Sequence, residues 1–267
     1  MRNIRLLIAY DGTEFQGWQR QPSAPTVQAC LESALARVLG ESAAVHGSGR
    51  TDAGVHALNQ VANFQTACSI PCPNLVKALN DALPPSVRVK EAGEAGAGFH
   101  ARHAARSKTY RYRILQAPVC SPFLWRFVWH YPFPLDAERM AEAAKCFEGE
   151  HDFTSLAAAA GRAEDGENTQ CGDAGEEPRQ RRVESAMVRR VFSSRILRRA
   201  RPPLLIYEVC GNGFLHHMVR NMVGTLVEVG RGKLEPCGIR RILEARDRTQ
   251  AGPTAPARGL CLVKVEY

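Results

Sequence analysis

Ser107-Lys108-Thr109-Tyr110-Arg111-Tyr112-Arg113-Ile114-Leu115 alternates with a period of two, so it reads as a β-strand. Tyr110, Tyr112 and Ile114 face one way, and Arg111 and Arg113 face the other. This strand decides the fold because it opens a second pass through one order of elements. Ahead of it, residues 2–11 alternate with Ile4, Leu6, Ile8 and Tyr10 on one face. Thr26 caps a helix whose stripe is Val27, Leu31, Leu35 and Val38, and Gly40 ends it. Strand-like pieces follow at 43–47 and 58–65. Pro73 and Asn74 open a helix carrying Leu75, Val76 and Leu79, which Pro84-Pro85 closes. Val87 and Val89 mark the next strand, so this half reads β-α-β-β-α-β.

Beyond Leu115 an apolar piece lies near 127–131, and Asp136 caps a helix with Met140, Ala143, Ala144 and Phe147 inward. Strands are expected near 183–192 and 204–210, a longer helix at 214–229, a short helix at 236–246 and a last strand at 260–267. The order is again approximately β-α-β-β-α-β, with one extra strand-like piece and one extra helix. The expected class is therefore α+β: two ferredoxin-like (RRM-like) halves, 1–105 and 106–267. Each half would carry helices on its outer face, leaving antiparallel sheet faces to line a central cleft.

The composition bounds the function. The chain has 267 residues, enough to bury a core without disulfides or metals. Hydrophobic residues make up 45% and charged residues 23%, which excludes bulk disorder, collagen and coiled-coil fibre. No run approaches the roughly 18 apolar residues of a membrane span. The N-terminal MRNIRLLIAYDG lacks the pattern of a signal peptide and reads as a first strand. The nine cysteines are odd in number and scattered, and Cys68 and Cys72 have no second pair to complete a zinc site. Reduced thiols and a cytoplasmic location are the expectation.

Lys and Arg outnumber Asp and Glu by 35 to 27, a net charge of +8. Residues 161–178 hold six acids against Arg162 and read as a flexible surface loop, part of an insertion around 157–182. Residues 179–201 hold nine Arg against Glu184. Between Ala95 and Leu115, Arg102, Arg106, Lys108, Arg111 and Arg113 alternate with Phe99, His100, His103, Tyr110 and Tyr112, and no acid interrupts them. Cations for phosphates and flat rings for bases are what unpaired RNA requires, so Arg102, Lys108, Arg111 and Tyr110 are candidate RNA contacts. An exposed Arg face on an ordinary strand is the competing reading.

The chemistry is expected in Gly47-Ser48-Gly49-Arg50-Thr51-Asp52-Ala53-Gly54-Val55-His56. A P-loop would need GK[ST], and a dinucleotide fingerprint would need a third Gly where Asp52 stands. Both readings fail, which leaves a functional loop or a tight glycine turn with Asp52 as a turn residue.

Gly49-Arg50-Thr51-Asp52-Ala53-Gly54-Val55-His56-Ala57 resembles the signature of the TruA-type tRNA pseudouridine synthase family. Tyr10-Asp11-Gly12 with Phe15-Gln16-Gly17-Trp18-Gln19, Phe99-His100-Ala101-Arg102, Lys108-Thr109-Tyr110-Arg111-Tyr112 and Phe214 through Gly224 agree in the family's order. His151-Asp152-Phe153-Thr154-Ser155 also fits. The stretch 157–201 departs by looking longer than the family core requires.

The resemblance implies isomerisation of uridine to pseudouridine in the tRNA anticodon stem-loop, at positions 38, 39 and 40 in tRNA numbering. It implies Asp52 as the catalytic carboxylate, acting by attack on C1′, addition to the base or removal of the 2′ proton. Arg220 would pair with it, Tyr110 would stack on the uracil, and Arg50 would hold the flipped nucleotide or fill its place. His56 is carried among the RNA contacts, although His56, His216 and His217 also read as structural, since the chemistry has no assigned task for imidazole. No cofactor, metal or membrane is implied; a homodimer is. Two other readings compete. A non-catalytic RNA-binding protein of two RRM-like units gives Asp52 no job and lacks the RRM aromatic signature. A hydrolase would need Asp11 or Glu14 brought to Asp52.

Overall fold

The computed structural model describes residues 1–158 and 187–267. The acidic loop expected at 161–178, and nearly all of the insertion around 157–182, lie outside the described residues. The first half supplies β1 (Arg2–Tyr10), α1 (Val27–Leu39), β2 (His46–Gly47), β3 (His56–Thr66), α2 (Cys72–Ala82) and β4 (Val87–Ala95). The second supplies β5 (Ser107–Leu115), α3 (Pro122–Trp125), β6 (Trp129–His130), α4 (Ala137–Lys145), β7 (Gly149–Asp152), β8 (Val188–Arg199), β9 (Leu204–Gly211), α5 (Met218–Gly230), α6 (Gly238–Ala245) and β10 (Leu260–Glu266).

Local chemistry sets most of these boundaries. Thr26 accepts from Ala29 N at the start of α1, and Gly40 closes it in the left-handed conformation at φ 72°. Asp136 accepts from Glu138 N and Arg139 N to start α4. The helix expected at 214–229 starts later, at Met218, because His217 takes the left-handed conformation (φ 61°) just ahead of it. The strand expected at 183–192 has its described part in β8 and runs on to Arg199, since its ladder with β9 continues to Arg199↔Leu204.

Where two antiparallel sheets were expected, one sheet of ten strands forms. Its path is β4-β1-β3-β10-β5-β9-β8-β7, with β2 on β3 and β6 on β5. The joint is β10. It pairs parallel with β3 (Cys261↔His56, Leu262↔Ala57) and antiparallel with β5 (Leu260↔Tyr112, Leu262↔Tyr110). Edges of β3 and β5 that would otherwise expose unpaired backbone groups are thereby closed.

One row of partners crosses the joint on a single face. Tyr10 stands opposite Ala57, Ala57 opposite Leu262, Leu262 opposite Tyr110, and Tyr110 opposite Val209. All five are buried. The helices cover this same face. Leu31, Leu35, Leu75 and Leu79 of α1 and α2 join Ile4, Leu6, Ile8 and Val89 in the core cluster that also holds Met140 of α4, Met222 of α5 and Tyr207 of β9. The cleft was expected on the face away from the helices. That other face instead carries Cys261, Arg111, Glu208 and Arg195 as successive partners.

Because β10 belongs to both ladders, the two halves should unfold together. Leu262→Ala should cost about 2–5 kcal/mol and shift one cooperative transition in calorimetry. Two resolved transitions in the wild type would contradict this account.

Candidate active site

The glycine-rich loop between β2 and β3 is held from both sides. Gln60 Nε2 donates to Gly49 O at 2.9 Å, while Ser48 Oγ donates to Gln60 Oε1 at 2.6 Å. Thr51 Oγ1 lies 2.8 Å from the Tyr10 hydroxyl, and Trp18 N donates to Thr51 O at 3.0 Å. The segment 11–18 therefore packs directly on the loop. Gly17 has φ 90°, and a Cβ there would lie 2.5 Å from Thr51 O. At Gly12 a Cβ would come within 2.0 Å of Val55 O. Only glycine lets the two backbones approach so closely. These contacts explain why the 10–19 motif and the loop occur together.

The loop presents Asp52 to the start of α5. Arg220 Nη1 donates to Asp52 Oδ2 at 2.9 Å, across 168 positions of sequence. Arg220 Nε donates to Ala255 O at 2.8 Å, so the guanidinium is anchored before it meets the carboxylate. The two side chains are 15% and 16% exposed, which makes the pair mostly desolvated yet open on one side. A fixed guanidinium in such a place aims the carboxylate through a charge-assisted hydrogen bond. His216 Nε2 lies 3.5 Å from Oδ1 and His217 Nε2 lies 3.5 Å from Oδ2. Burial pushes the His217 pKa down, Asp52 pulls it up, and His216, Arg220 and Arg248 push it further down; the net direction is downward.

Tyr110 lies on the same sheet face, with its ring edge-on to Phe214 at 5.2 Å between centroids. Burial drives its pKa upward, with Tyr10 and then Asp52 adding to the rise, so the hydroxyl is neutral. Tyr112, two positions on, is a core residue that donates to Pro256 O at 2.7 Å. Lys108 completes that edge of the strand. Its ammonium lies beside Gly49, where a Cβ would stand 3.3 Å from Nζ. Burial, then repulsion from Arg102 and Arg189, lowers its pKa to about 8. Arg102 is exposed nearby. Arg50 is exposed at the loop, donating from Nε to Gln19 Oε1 at 3.1 Å.

Two expected RNA contacts are placed elsewhere. Arg111 lies on the opposite face and binds Glu208, with Nη2 at 2.6 Å from Oε2. Glu208 also takes Arg195, and these two guanidinium groups hold its pKa down against the cost of burial. His56 is 4% exposed. Its Nδ1 accepts from Gly12 N at 3.0 Å, and Nε2 lies 2.8 Å from Arg126 O. The ring ties the end of the loop to two other segments and has no surface to offer RNA. Asp11 is engaged by Thr13, His56 and Arg126, and Glu14 by Arg126, so neither is presented as a second carboxylate beside Asp52.

The sequence reading missed the arrangement of His216 and His217 around Asp52. Helical spacing could not have found them, because both residues lie ahead of the helix and His217 takes the left-handed conformation. All the described cysteines are free, and burial raises the Cys261 pKa to about 11, the state of an inert core thiol.

A carboxylate gripped by an anchored arginine, beside a neutral tyrosine and a basic strand, defines a carboxylate-centred reaction site flanked by cations. Comparison with known proteins narrows the class. The family model for tRNA pseudouridine synthase matches residues 6–103 and 143–267. A tRNA pseudouridine synthase A of Solibacter usitatus (strain Ellin6076) is 48% identical over 267 residues, covering 100% of both chains. Those of Brevibacillus brevis (strain 47) and Moorella thermoacetica (strain ATCC 39073) are each 44% identical, covering 100% and 99% of both chains respectively. The chain belongs to the tRNA pseudouridine synthase family.

The His56 strap makes a pH prediction. Burial dominates and pushes its pKa below the ordinary value, against the pull of Asp11 and the Arg126 and Arg258 carbonyls. The unfolded chain then binds a proton that the folded chain refuses, so stability falls as pH drops below about 6.5. In His56→Gln that part of the slope should vanish, together with about 1–3 kcal/mol of stability. Denaturant unfolding between about pH 5 and pH 7 measures both; equal slopes in the two proteins would contradict the assignment.

Proposed function

We infer that this chain isomerises uridine to pseudouridine in tRNA, with Asp52 as the carboxylate that starts the reaction. The observation that carries this reading is the 2.9 Å contact between Asp52 and the anchored Arg220, in a half-open site beside Tyr110. The reaction breaks the C1′–N1 bond, turns the uracil and joins C5 to C1′. Atoms and electrons balance within the nucleotide itself. What it asks of the protein is a charged carboxylate, a surface for the detached base and exclusion of water.

Each group has a task on this reading. Arg220 holds Asp52 aimed through a charge-assisted hydrogen bond. Asp52 attacks C1′, adds to the base or removes the 2′ proton. The neutral Tyr110 ring stacks on the uracil. A stem uridine must leave the duplex to reach Asp52, and Arg50, exposed at the rim of the loop, takes up the vacated space or holds the nucleotide. Lys108 and Arg102 bind the phosphates leading into the site. The substrate positions are 38, 39 and 40 of the anticodon stem-loop, the working form is a homodimer and the compartment is the cytoplasm. The units 1–105 and 106–267 are two ferredoxin-like halves, a division supported by their strand orders, β4-β1-β3-β2 and β10-β5-β9-β8.

Asp52→Asn should lower pseudouridine formation on unmodified tRNA by at least about 10³-fold while leaving tRNA binding measurable. Retained conversion would refute the assignment. Arg220→Lys keeps the charge but cannot hold Ala255 O and Asp52 at once, so kcat should fall by about 10-fold or more with little change in KM.

The phosphate contacts have a separate readout. Arg102→Ala should reduce the slope of log K against log salt for tRNA binding by about one unit or slightly less. Lys108 is protonated near neutrality and loses its charge above about 8. Affinity should therefore weaken between about pH 7 and pH 9 in the wild type, and less in Lys108→Met. Filter binding at fixed ionic strength tests this, and parallel pH profiles would exclude Lys108 from the contact.

A further inference from the structure

We propose that Asp52, His216 and His217 form a binding site for a zinc-class divalent ion, and that its occupation reversibly shuts the reaction centre. The inhibition rests on the reading of Asp52 given above; the binding does not.

The donor geometry carries the proposal. One ligand atom from each of the three residues lies within 4.8 Å of the others. Both imidazoles stand 3.5 Å from a carboxylate oxygen. That is beyond a normal hydrogen bond, whose N···O distance ends near about 3.2 Å. It matches the edge of a tetrahedron instead. Zinc bonds of about 2.0–2.2 Å place neighbouring ligands about 3.4 Å apart. The two rings lie 4.0 Å apart between centroids at 38°, so both can aim Nε2 at the same carboxylate.

The backbone supports this placement. His217 holds φ 61°, a left-handed conformation that a non-glycine residue enters only at a cost. His217 then starts α5, and Asp52 is braced by its own loop. The donors thus come from segments more than 160 positions apart and converge only in the folded protein. Arg220 donates to Oδ2, the oxygen that His217 faces, while His216 faces Oδ1, so an ion here would share the carboxylate with Arg220. Two imidazole nitrogens and one carboxylate oxygen favour zinc, cobalt or nickel over magnesium or calcium. With three protein donors, a fourth position stays open to water. An ion held there would take the Asp52 charge that the reaction uses and stand where the nucleotide must approach.

The test uses the full chain without RNA. Cobalt(II) titration should give the visible absorption of a low-coordinate nitrogen–oxygen site at one equivalent. Zinc should displace it and magnesium should not. His216→Ala and His217→Gly should each weaken zinc binding in calorimetry by about 10-fold or more. Glycine at 217 keeps the left-handed backbone, and a thermal melt checks that the fold survives. Zinc should also inhibit pseudouridine formation at concentrations that fill this site, EDTA should restore activity and excess tRNA should protect. Unchanged zinc affinity in the His216→Ala/His217→Gly double variant, or a thiolate charge-transfer band, would assign the ion to a cysteine and overturn the proposal. Full occupancy with full activity would overturn the inhibition. Cobalt binding is read without RNA, so failure of Asp52 as the catalytic group would appear separately, as activity retained in Asp52→Asn.

Discussion

β10 hydrogen-bonds on both of its edges, to β3 on one side and β5 on the other, and the geometry of the site follows from that double pairing. Leu262 stands between Ala57 and Tyr110 in one buried row. The loop that carries Asp52 enters β3 at the row's first-half end. Tyr110 lies directly across β10 from it. The segment that leads into β10 supplies the Ala255 carbonyl that orients Arg220. Strand spacing of about 4.8 Å then leaves little freedom in how far apart the carboxylate, the tyrosine and the arginine can stand. Moving β10 would disturb all three at once.

The electrostatics fit that frame. The helix-covered face holds the Asp52–Arg220 pair, the neutral Tyr110 and the partly desolvated Lys108. The opposite face holds Arg111, Glu208 and Arg195 as a ladder of compensated charges. Two arginines of similar appearance in the sequence, Arg111 and Arg220, therefore have different work. One pairs with the buried Glu208 and compensates its charge. The other holds the Asp52 carboxylate in place from a guanidinium anchored on the Ala255 carbonyl. Asp52 is also bracketed by two imidazoles, so this carboxylate is the most densely surrounded charge in the site.

Much of this was legible beforehand. Thr26, Gly40, Asp136 and the alternation of 107–115 mark their elements by chemistry local to a few residues, and those elements formed where expected. The glycine loop, its tyrosine and its arginine were recognisable as ordered motifs. The start of α5 was not, because it depends on the left-handed turn at His217, which nothing in the residue type demands. The joining of two sheets into one was not, because a strand's alternation says which side chains share a face and not which strand lies beside it. His56 and Arg111, expected at the RNA, are engaged by protein groups that the sequence did not reveal, for a related reason. Their partners, Gly12 with the Arg126 carbonyl and Glu208, are distant in sequence or lie on other strands.

The sequence by itself determined the elements, the α+β class, the family and the residue types able to do the chemistry, because each is encoded in short-range periodicity, capping or motif order. The tertiary structure alone decided which face holds the site, which charged groups are already occupied and which groups meet Asp52. Those outcomes depend on contacts such as Asp52 with Arg220, 168 positions apart. Distances of that kind are set by strand pairing and burial across the whole chain, and no local pattern carries them.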